Sequence, residues 1–393
     1  MSRQLIARSP DLEKLRSDGF DIEVRLGYLL VKEVPYVNSN KVVTRGVLIS
    51  KLELANDATV PPQDHVAYWN GEHPCHSDGR QISAIHNPSP PQDFGSGILA
   101  DHTFSAKASY RNYHHKMTAY IARITGEARV LDPSVRAETF PLYLPEDPRS
   151  VFKYEDTASS RAHLGSFNQK LAHQHIGIIG LGGTGSYVLD LVAKTLVKEI
   201  HLFDGDLFLQ HNAFRAPGAA SGQAIERKQK KVLYWAEIYE AMRNGIVTHD
   251  HYLDESTLDS LQGLDFVFLC MDSGEAKTHV ICRLESMGLN FIDVGLGVTP
   301  YGDSLGGLLR VSTSTPENRQ AARAFISTKD GADEVNEYST NIQVVELNAL
   351  NAAFAVIRWK KILGFYYDGV REHNSSYSIG QNETTNNGGK DDQ

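Results

Sequence analysis

The sequence has 393 residues, of which 41% are apolar and 22% are charged, and its formal net charge at pH 7 is −9. These values are typical of a globular protein with two domains, and the acidic balance argues against a general affinity for nucleic acid. No apolar run approaches the roughly 20 residues of a membrane helix, and the first residues lack the apolar segment of a secretory signal. Three cysteines without paired spacing indicate a reducing compartment. We therefore expect a cytoplasmic protein that binds neither nucleic acid nor a membrane.

Residues 1–150 predict a smaller α+β domain. Apolar-alternating stretches separated by Asn, Asp, Gly and Pro occupy residues 20–105 and are typical of β-strands. The stretch "YRNYHHKMTAYIARITGEARVL" then has a helical period, with one apolar face formed by Met117, Tyr120, Ile121 and Ile124. The Pro-rich and charged stretch "LDPSVRAETFPLYLPEDPRS" is interpreted as the connector out of this domain.

Residues 158–368 predict an α/β domain with a parallel sheet. Strands are expected at "HIGIIGL", "EIHLFD", "LDFVFLCMD" and "NFIDVGLGV", and amphipathic helices lie between them. This alternation is typical of βαβ units with helices on both faces of the sheet. A late Ala-rich helix, "IQVVELNALNAAFAVIRWKKILGFY", suits either packing within the domain or a homodimer interface. The polar residues 369–393 are predicted to be disordered.

A glycine-rich turn joins the first strand of this domain to its first helix. Gly180, Gly182 and Gly185 form the spacing G-x-G-x-x-G, with Gly183 between them. Glycines in this context allow a tight turn, a close approach of the backbone to phosphate and close helix packing. Asp204, at the end of the next strand, is placed to bind a ribose. The spacing alone fits a nicotinamide dehydrogenase, a nucleotide that reacts at phosphate, or a turn without a ligand.

The residues after the second strand favour reaction at phosphate. Asp204 and Asp206 end that strand, and Asn212 and Arg215 follow in the next loop. A dehydrogenase needs one acid for the ribose diol, whereas nucleotidyl transfer needs cations around the charge that develops on the phosphoryl oxygens. Mg²⁺ takes one or two protein carboxylates and fills its shell with phosphate oxygens and water. Asp272, at the end of the third predicted strand, is a candidate ligand for it.

These separated motifs resemble the ThiF/MoeB superfamily of ubiquitin-activating-type adenylyltransferases. The similarity covers roughly residues 160–365 and rests on "GLGGTG", "DGDLFLQHNAFR", a lysine in "KKVLYWAEIY" and the acid in "CMDSG". The resemblance implies a Rossmann-like adenylation domain that binds ATP and Mg²⁺. The catalytic residues that it implies are Arg215, Lys231 and Asp272, the last as the Mg²⁺ ligand. The nucleotide-binding residues that it implies are Gly180, Gly182, Gly183, Gly185, Asp204, Asp206, Asn212 and Arg161.

Three positions depart from the family pattern. The glutamine that usually follows the motif arginine is Ala216 here, and a longer loop lets Lys228 compete with Lys231 for the phosphate contact. These lysines also suit a solvated helix face. Arg161 is the candidate for the family arginine that precedes the first strand and often reaches into the partner subunit's site, and it also suits a plain surface arginine.

The cysteines do not suggest a self-thioester. Cys270 lies inside an apolar strand and is interpreted as a buried structural thiol. Cys282 lies in a predicted helix, and its side chain is expected to pack into the interior. No cysteine follows Cys282. The acyl adenylate is therefore expected to pass to a thiol on a partner, or to a sulfur or amine acceptor.

The first domain contains a second set of polar residues. Cys75 lies beside His73 and His76 and is interpreted as a half-buried turn thiol rather than a metal ligand or nucleophile. The stretch "HPCHSDGRQIS" resembles the active-site region of ubiquitin-conjugating folds, with Ser83 where their cysteine stands, which implies a degenerate conjugating-like domain. The domain as a whole resembles the module that precedes ThiF-type domains in bacterial ubiquitin-like modification operons, which are associated with phage defence.

The sequence therefore predicts ATP-dependent adenylation of the C-terminal carboxylate of a ubiquitin-like protein, with release of pyrophosphate. The resemblance further implies a conjugating-type partner enzyme and a homodimer. Alternatives are activation of a sulfur carrier for cofactor synthesis, adenylation of a small molecule, peptide or tRNA base, and a non-catalytic nucleotide-binding scaffold. A nicotinamide oxidoreductase is disfavoured, since no later segment offers an evident acid or base for hydride transfer.

Overall fold

The computed structural model describes residues 2–145, 147–162, 164–272, 274–328 and 342–388. The chain divides into two compact units, Met1–Tyr143 and Leu144–Gln393. Within the described ranges, no helix is both long enough and apolar enough to cross a membrane.

The first unit contains an antiparallel sheet and a long helix. Its helices are α1 (Ser2–Arg8), α2 (Pro10–Ser17) and α3 (Tyr113–Leu131), with a 3₁₀ turn at Ser83–Ile85. Its strands are β1 (Ile22–Arg25), β2 (Tyr28–Val37), β3 (Val43–Lys51), β4 (Leu54–Ala55), β5 (Ala58–Thr59), β6 (Val66–Asn70), β7 (His86–Asn87), β8 (Gln92–Asp93), β9 (Leu99–Ala100) and β10 (His102–Ser105). The main sheet has the order β1-β2-β3-β6-β10-β7, with antiparallel neighbours throughout.

The core of the first unit lies between α3 and this sheet. The predicted apolar face of α3 is confirmed, since Met117, Tyr120, Ile121 and Ile124 are all buried. Asn112 caps the helix by accepting a hydrogen bond from the backbone N–H of His115. Burying each large apolar side chain contributes about 1.5–3 kcal/mol, so this face holds the helix on the sheet.

The second unit contains the elements that carry the candidate site. Its helices are α4 (Thr157–Arg161), α5 (Gly165–Asn168), α6 (Gly183–Ala193), α7 (Gln210–Ala213), α8 (Gly222–Glu226), α9 (Lys231–Tyr239), α10 (Glu275–Ser286), α11 (Arg319–Arg323) and α12 (Val345–Ile362). Its strands are β11 (His175–Ile179), β12 (Glu199–Phe203), β13 (Ile246–His249), β14 (Phe266–Leu269), β15 (Asn290–Tyr301), β16 (Ser304–Ser314), β17 (Glu372–Ser378) and β18 (Glu383–Gly388). Short 3₁₀ turns lie at Gln169–Leu171 and Leu258–Leu261.

These strands form one mixed sheet in the order β13-β12-β11-β14-β15-β16-β17-β18. The Rossmann-like α/β prediction is confirmed, and the strands from β11 to β15 pair in parallel. The sheet also has an antiparallel half, because β15 continues into the antiparallel hairpin partner β16. The strands β17 and β18 extend this antiparallel half.

The prediction of disorder for residues 369–393 is wrong for the part that the structure describes. Residues 372–378 and 383–388 form β17 and β18, while residues 389–393 lie outside the described residues. The segment is ordered through polar contacts rather than apolar burial. Asn374 is buried and accepts a hydrogen bond from the hydroxyl of Ser312 at 2.8 Å, and Glu372 pairs with Lys361 at 2.8 Å.

The Ala-rich face of α12 packs inside the second unit. Ala352 and Ala355 are fully buried in a cluster that includes Val188 and Leu189 of α6. Small side chains let the two helices approach closely. Of the two interpretations of this face, the structure therefore supports packing within the domain.

Arg243 is a buried cation at the C-terminal end of α6. Its guanidinium donates hydrogen bonds to the carbonyl oxygens of Ala193, Thr195 and Val197 at 3.2, 3.3 and 2.5 Å. The last carbonyl groups of a helix have no partner within the helix, and Arg243 supplies donors there. Burial lowers the pKa of Arg243 to about 10, so the side chain stays charged at neutral pH.

Candidate functional site

A pocket of about 420 Å³ opens at the carboxyl ends of the parallel strands. Open α/β sheets bind ligands at this edge. The pocket brings together most of the residues that the sequence singled out. Those that line it are Gly180, Gly182, Gly183, Asp204, Asp206, Arg215, Lys231 and Asp272.

The glycine-rich turn is shaped by two close approaches of the backbone. Gly180 has φ +87°, and a Cβ atom there would lie 2.6 Å from the carbonyl oxygen of Cys270. A Cβ atom on Gly185 would lie 1.8 Å from the carbonyl oxygen of Gly180. Helix α6 begins at Gly183, so its free N-terminal amides and the positive end of its dipole lie at the pocket. This end of the pocket therefore suits an anion such as phosphate.

Gly182 and Gly185 make a matched test of this geometry. We expect Gly185→Ala to lower the free energy of unfolding by about 1–3 kcal/mol, because the added methyl group overlaps the backbone. A Cβ atom on Gly182 meets nothing within 4 Å. Gly182→Ala should therefore leave stability unchanged and weaken ATP binding, because the methyl group takes the space of the phosphate. Thermal unfolding and calorimetric ATP titration measure the two effects. Native ATP affinity in Gly182→Ala would contradict the phosphate assignment.

Asp204 connects the glycine-rich turn to the end of β12. Its carboxylate accepts hydrogen bonds from the backbone N–H of Leu181 at 2.7 Å and of Asp206 at 2.8 Å. The side chain is almost fully buried. Because one carboxylate holds both turns, its position fixes the floor of the pocket between them.

Lys231 forms ion pairs with both acids at the end of β12. Its Nζ lies 2.7 Å from Oδ2 of Asp206 and 3.5 Å from Oδ2 of Asp204. The hydroxyl of Tyr252 also donates to Asp206. Burial alone raises the pKa of Asp206, but the hydrogen bonds from Lys231 and Tyr252 outweigh it and leave that pKa below its usual range. Lys228, the competing lysine, is exposed and lies outside the pocket lining.

Arg215 and Asn348, near the start of α12, also line the pocket. Arg215 is half-buried, and its Nε has no hydrogen-bond partner among the described residues. Its carbonyl oxygen accepts from Nδ2 of Asn348 at 3.4 Å, and Oδ1 of Asn348 accepts from the hydroxyl of Thr184 at 3.0 Å. Asn348 and Thr184 both line the pocket. These two residues were not predicted from the sequence, although a polar Asn348 on an Ala-rich helix was a usable signal.

Two predicted residues, Gly185 and Asn212, do not line the pocket. Gly185 lies within α6, behind the turn. Asn212 is buried and accepts a hydrogen bond from the backbone N–H of Leu209 at 2.9 Å, which places it in the supporting structure of the loop. Arg161 ends helix α4, and its side chain lies outside the described part of the structure.

Asp272 lies just after β14 and is exposed at the pocket. Mg²⁺ commonly takes a single protein carboxylate and completes its octahedral shell with phosphate oxygens and water. In the described ranges, no group of three or more His, Cys, Asp or Glu residues is arranged to hold a metal ion by itself. The donor set therefore fits a metal that arrives with a nucleotide.

The loop after β13 forms another wall of the pocket. His251, Tyr252 and Leu253 line it. These residues were not predicted from the sequence, because the half-exposed "IVTH" stretch of β13 lacks the apolar pattern of a buried strand. Val294 and Leu296 of β15 add an apolar surface near Asp272.

The three cysteines differ in exposure. Burial raises the pKa of the Cys270 thiol, which supports a structural role although the residue lines the pocket. Burial also raises the pKa of Cys75, whose thiol donates to the carbonyl oxygen of His73 at 3.3 Å. The expectation that Cys282 packs inside is wrong, because it lies on the exposed side of α10.

Comparison with known families divides the chain into two parts. A model described as the ThiF family matches residues 158–364. A model described as a domain of unknown function, DUF6791, matches residues 10–157.

Two curated relatives share part of the sequence. The chain is 27% identical over 127 residues to tRNA threonylcarbamoyladenosine dehydratase of Haemophilus influenzae, which covers 32% of this chain and 49% of that protein. It is 23% identical over 150 residues to ubiquitin-like modifier-activating enzyme 5 of Drosophila mojavensis, which covers 35% of this chain and 38% of that protein. The chain thus spans half or less of the length of these relatives.

Two solved structures are similar to part of the chain. Escherichia coli MccB is 16% identical with a TM-score of 0.47, over 60% of this chain and 70% of that one. Escherichia coli tRNA N6-threonylcarbamoyladenosine dehydratase, solved in complex with AMP, is 16% identical with a TM-score of 0.40, over 53% of this chain and 93% of that one.

Proposed function

The chain belongs to the ThiF family, and on that premise we propose that it adenylates the C-terminal carboxylate of a ubiquitin-like protein. The observation that carries the proposal is the convergence of Arg215, Lys231 and Asp272 on one pocket beside the glycine-rich turn. A binding site for a dinucleotide has no need of this set of cations and acids at the phosphate end. A nucleotidyl-transfer site needs them to stabilise charge on the reacting phosphate.

In the proposed reaction, a carboxylate oxygen of the protein substrate forms a bond to the α-phosphorus of ATP. The bond from the α-phosphorus to its bridging oxygen breaks, and pyrophosphate leaves with that electron pair. The amides at the start of α6 bind the phosphates, and Asp204 binds the ribose. Arg215 lies at the same end of the pocket and stabilises the charge on the phosphoryl oxygens.

Lys231 has to exchange partners during this cycle. Without nucleotide its Nζ is held by Asp206 at 2.7 Å. A triphosphate carries more negative charge than this carboxylate and competes for the same ammonium group. We therefore propose that Lys231 turns from Asp206 to the phosphates when ATP binds.

We propose Asp272 as the Mg²⁺ ligand, because it is the exposed carboxylate at the end of β14 in the pocket. When bound, the metal neutralises charge on the triphosphate. The role of the protein is to present one fixed carboxylate oxygen there.

The proposal includes transfer of the acyl group to a partner. The Cys270 thiol is buried, and Cys282 lies outside the pocket lining. A thiol on a conjugating-type partner enzyme is therefore proposed as the acceptor. Ser83 is exposed at the start of a 3₁₀ turn in the first unit, which agrees with the proposal that this unit is a degenerate conjugating-like domain. The homodimer and a role in antiviral defence rest on the family resemblance.

ATP–pyrophosphate exchange tests the proposal directly. The full chain is assayed alone, with ubiquitin-like proteins that end in a free carboxylate, and with the same proteins amidated at the C-terminus. Exchange that requires the free carboxylate is the expected result. Exchange without any added protein would indicate a small-molecule substrate, and exchange that requires tRNA or a sulfur carrier would assign those substrates instead. Tight ATP binding without exchange for any substrate would indicate a non-catalytic scaffold.

A further inference from the structure

Three charged side chains join α10 to the antiparallel half of the sheet; two of them are buried, and the third, Arg310, is 20% exposed. Nζ of Lys277 lies 2.6 Å from Oδ1 of Asp293, and Nη2 of Arg310 lies 2.6 Å from Oδ2 of the same carboxylate. The side chain of Asp293 is 0% exposed and that of Lys277 is 3% exposed. We call Lys277, Asp293 and Arg310 the buried triad.

The buried triad lies on the elements that flank Asp272. Lys277 is in the first turn of α10, which begins at Glu275, shortly after Asp272. Asp293 is on β15, opposite Leu269 of β14, and the residue that follows it, Val294, lines the pocket. The ion pair therefore joins α10, which follows the turn that carries Asp272, to β15, the parallel neighbour of the strand β14 that precedes this turn.

Stability alone does not explain three charges in this position. Replacing a buried ion pair or triad with well-packed apolar residues is often neutral or stabilising by about 1–4 kcal/mol. The hydrogen bond from Arg310 and the ion pair with Lys277 meet at one buried carboxylate and fix the relative position of α10, β15 and β16. Apolar side chains can slide past one another, so an apolar contact would not fix this relative position in the same way.

We propose that the buried triad positions Asp272 for nucleotide turnover, with Lys277 and Arg310 as positioning residues. This inference rests on the proposed adenylation. If the start of α10 shifts relative to β15, the Asp272 carboxylate shifts with it. A displacement of about 1 Å in an active site costs on the order of 10²-fold in rate.

The test replaces the buried triad with apolar residues of similar size in the full chain, Lys277→Met/Asp293→Leu/Arg310→Met. We expect a folded protein whose kcat for exchange falls on the order of 10²-fold, with little change in the KM for ATP. The Mg²⁺ concentration for half-maximal exchange should rise, because Asp272 is no longer held in place. Lys277→Arg should keep most of the native rate, since it preserves the ion pair.

A second ionic cluster provides the matched control. Lys361 lies 2.8 Å from Glu372, and Arg358 lies 3.4 Å from the same carboxylate, between α12 and β17. None of these residues lines the pocket. Arg358 also lies 2.6 Å from Asp368, so the control variant neutralises this acid too. Lys361→Met/Glu372→Leu/Arg358→Met/Asp368→Asn should therefore leave the Mg²⁺ dependence of exchange unchanged.

If the triple variant does not fold, Lys277→Gln/Asp293→Asn removes two charges and keeps polar groups in place, and the same rise in Mg²⁺ requirement is expected. A folded variant with native kcat and native Mg²⁺ dependence would overturn the proposal. Calorimetric titration of ATP at varied Mg²⁺ separates this result from a failure of the proposed function. It reports the altered Mg²⁺ requirement even if the native protein adenylates no tested substrate.

Discussion

We expect Arg215→Ala to slow ATP–pyrophosphate exchange on the order of 10³-fold, at the lower end of the range for an arginine that stabilises phosphoryl transfer. The guanidinium lies in the pocket, and its Nε has no hydrogen-bond partner among the described residues. Removing the guanidinium should therefore weaken the stabilisation of the charge that develops on the phosphate and have little effect on folding. The measurement is exchange at saturating ATP and substrate, with circular dichroism to confirm folding.

Two further variants make this result specific. Arg227 is exposed, pairs with Glu237 at 3.1 Å and lies outside the pocket lining, so Arg227→Ala should exchange at the native rate. Arg215→Lys should recover only part of the rate, because an ammonium group cannot reproduce the planar donor set of a guanidinium. A native rate in Arg215→Ala, together with an inactive Asp272→Ala, would indicate that Lys231, rather than Arg215, stabilises the charge on the phosphate.

We expect Arg243→Met to lower the free energy of unfolding of the second unit by about 3–5 kcal/mol. The methionine fills much of the volume but leaves the carbonyl oxygens of Ala193, Thr195 and Val197 without the donors that they now have. These groups are buried with Arg243, so water replaces the lost donors poorly. Arg243→Lys should be intermediate, since one ammonium group cannot reach all three oxygens.

The measurement has to report on the second unit alone, because a chain with two units need not unfold in a single transition. Hydrogen exchange of residues 183–193 of α6 is suitable. Arg149→Met is the control, since Arg149 is exposed and pairs with Asp147 on the surface. Native-like exchange protection in Arg243→Met would show that the three carbonyl groups find other partners.

The parts of the site that were predictable from the sequence are close together along the chain or repeat a local pattern. Gly180, Gly182 and Gly183 lie in one turn, and Asp204 and Asp206 end one strand. Strong apolar patterns placed the strands β11, β12, β14 and β15, and their parallel order follows from the helices between them. Because neighbouring parallel strands end at the same edge of a sheet, the meeting of their carboxyl ends was also predictable.

The other parts of the fold and of the site depend on contacts between segments that are far apart in the sequence. Asn348 meets Thr184 only after α12 packs on α6, and the alanines of that helix gave no sign of which side would carry a polar contact. The strand β13 is half-exposed, and β17 is polar because its buried Asn374 and Glu372 are satisfied by side chains of β16 and α12. Hydrophobic periodicity does not detect elements of this kind.

The order of the strands has a consequence for synthesis of the chain on the ribosome. Every wall of the pocket, from β11 to the start of α12, precedes β17 and β18 in the sequence. The partners that cover β16 are therefore made after the rest of this sheet, and until they emerge the sheet ends in an unpaired strand. Unpaired strands recruit other chains. Because β16 carries Leu308, Leu309 and Val311, we expect this edge to be open to pairing with other chains until β17 covers it.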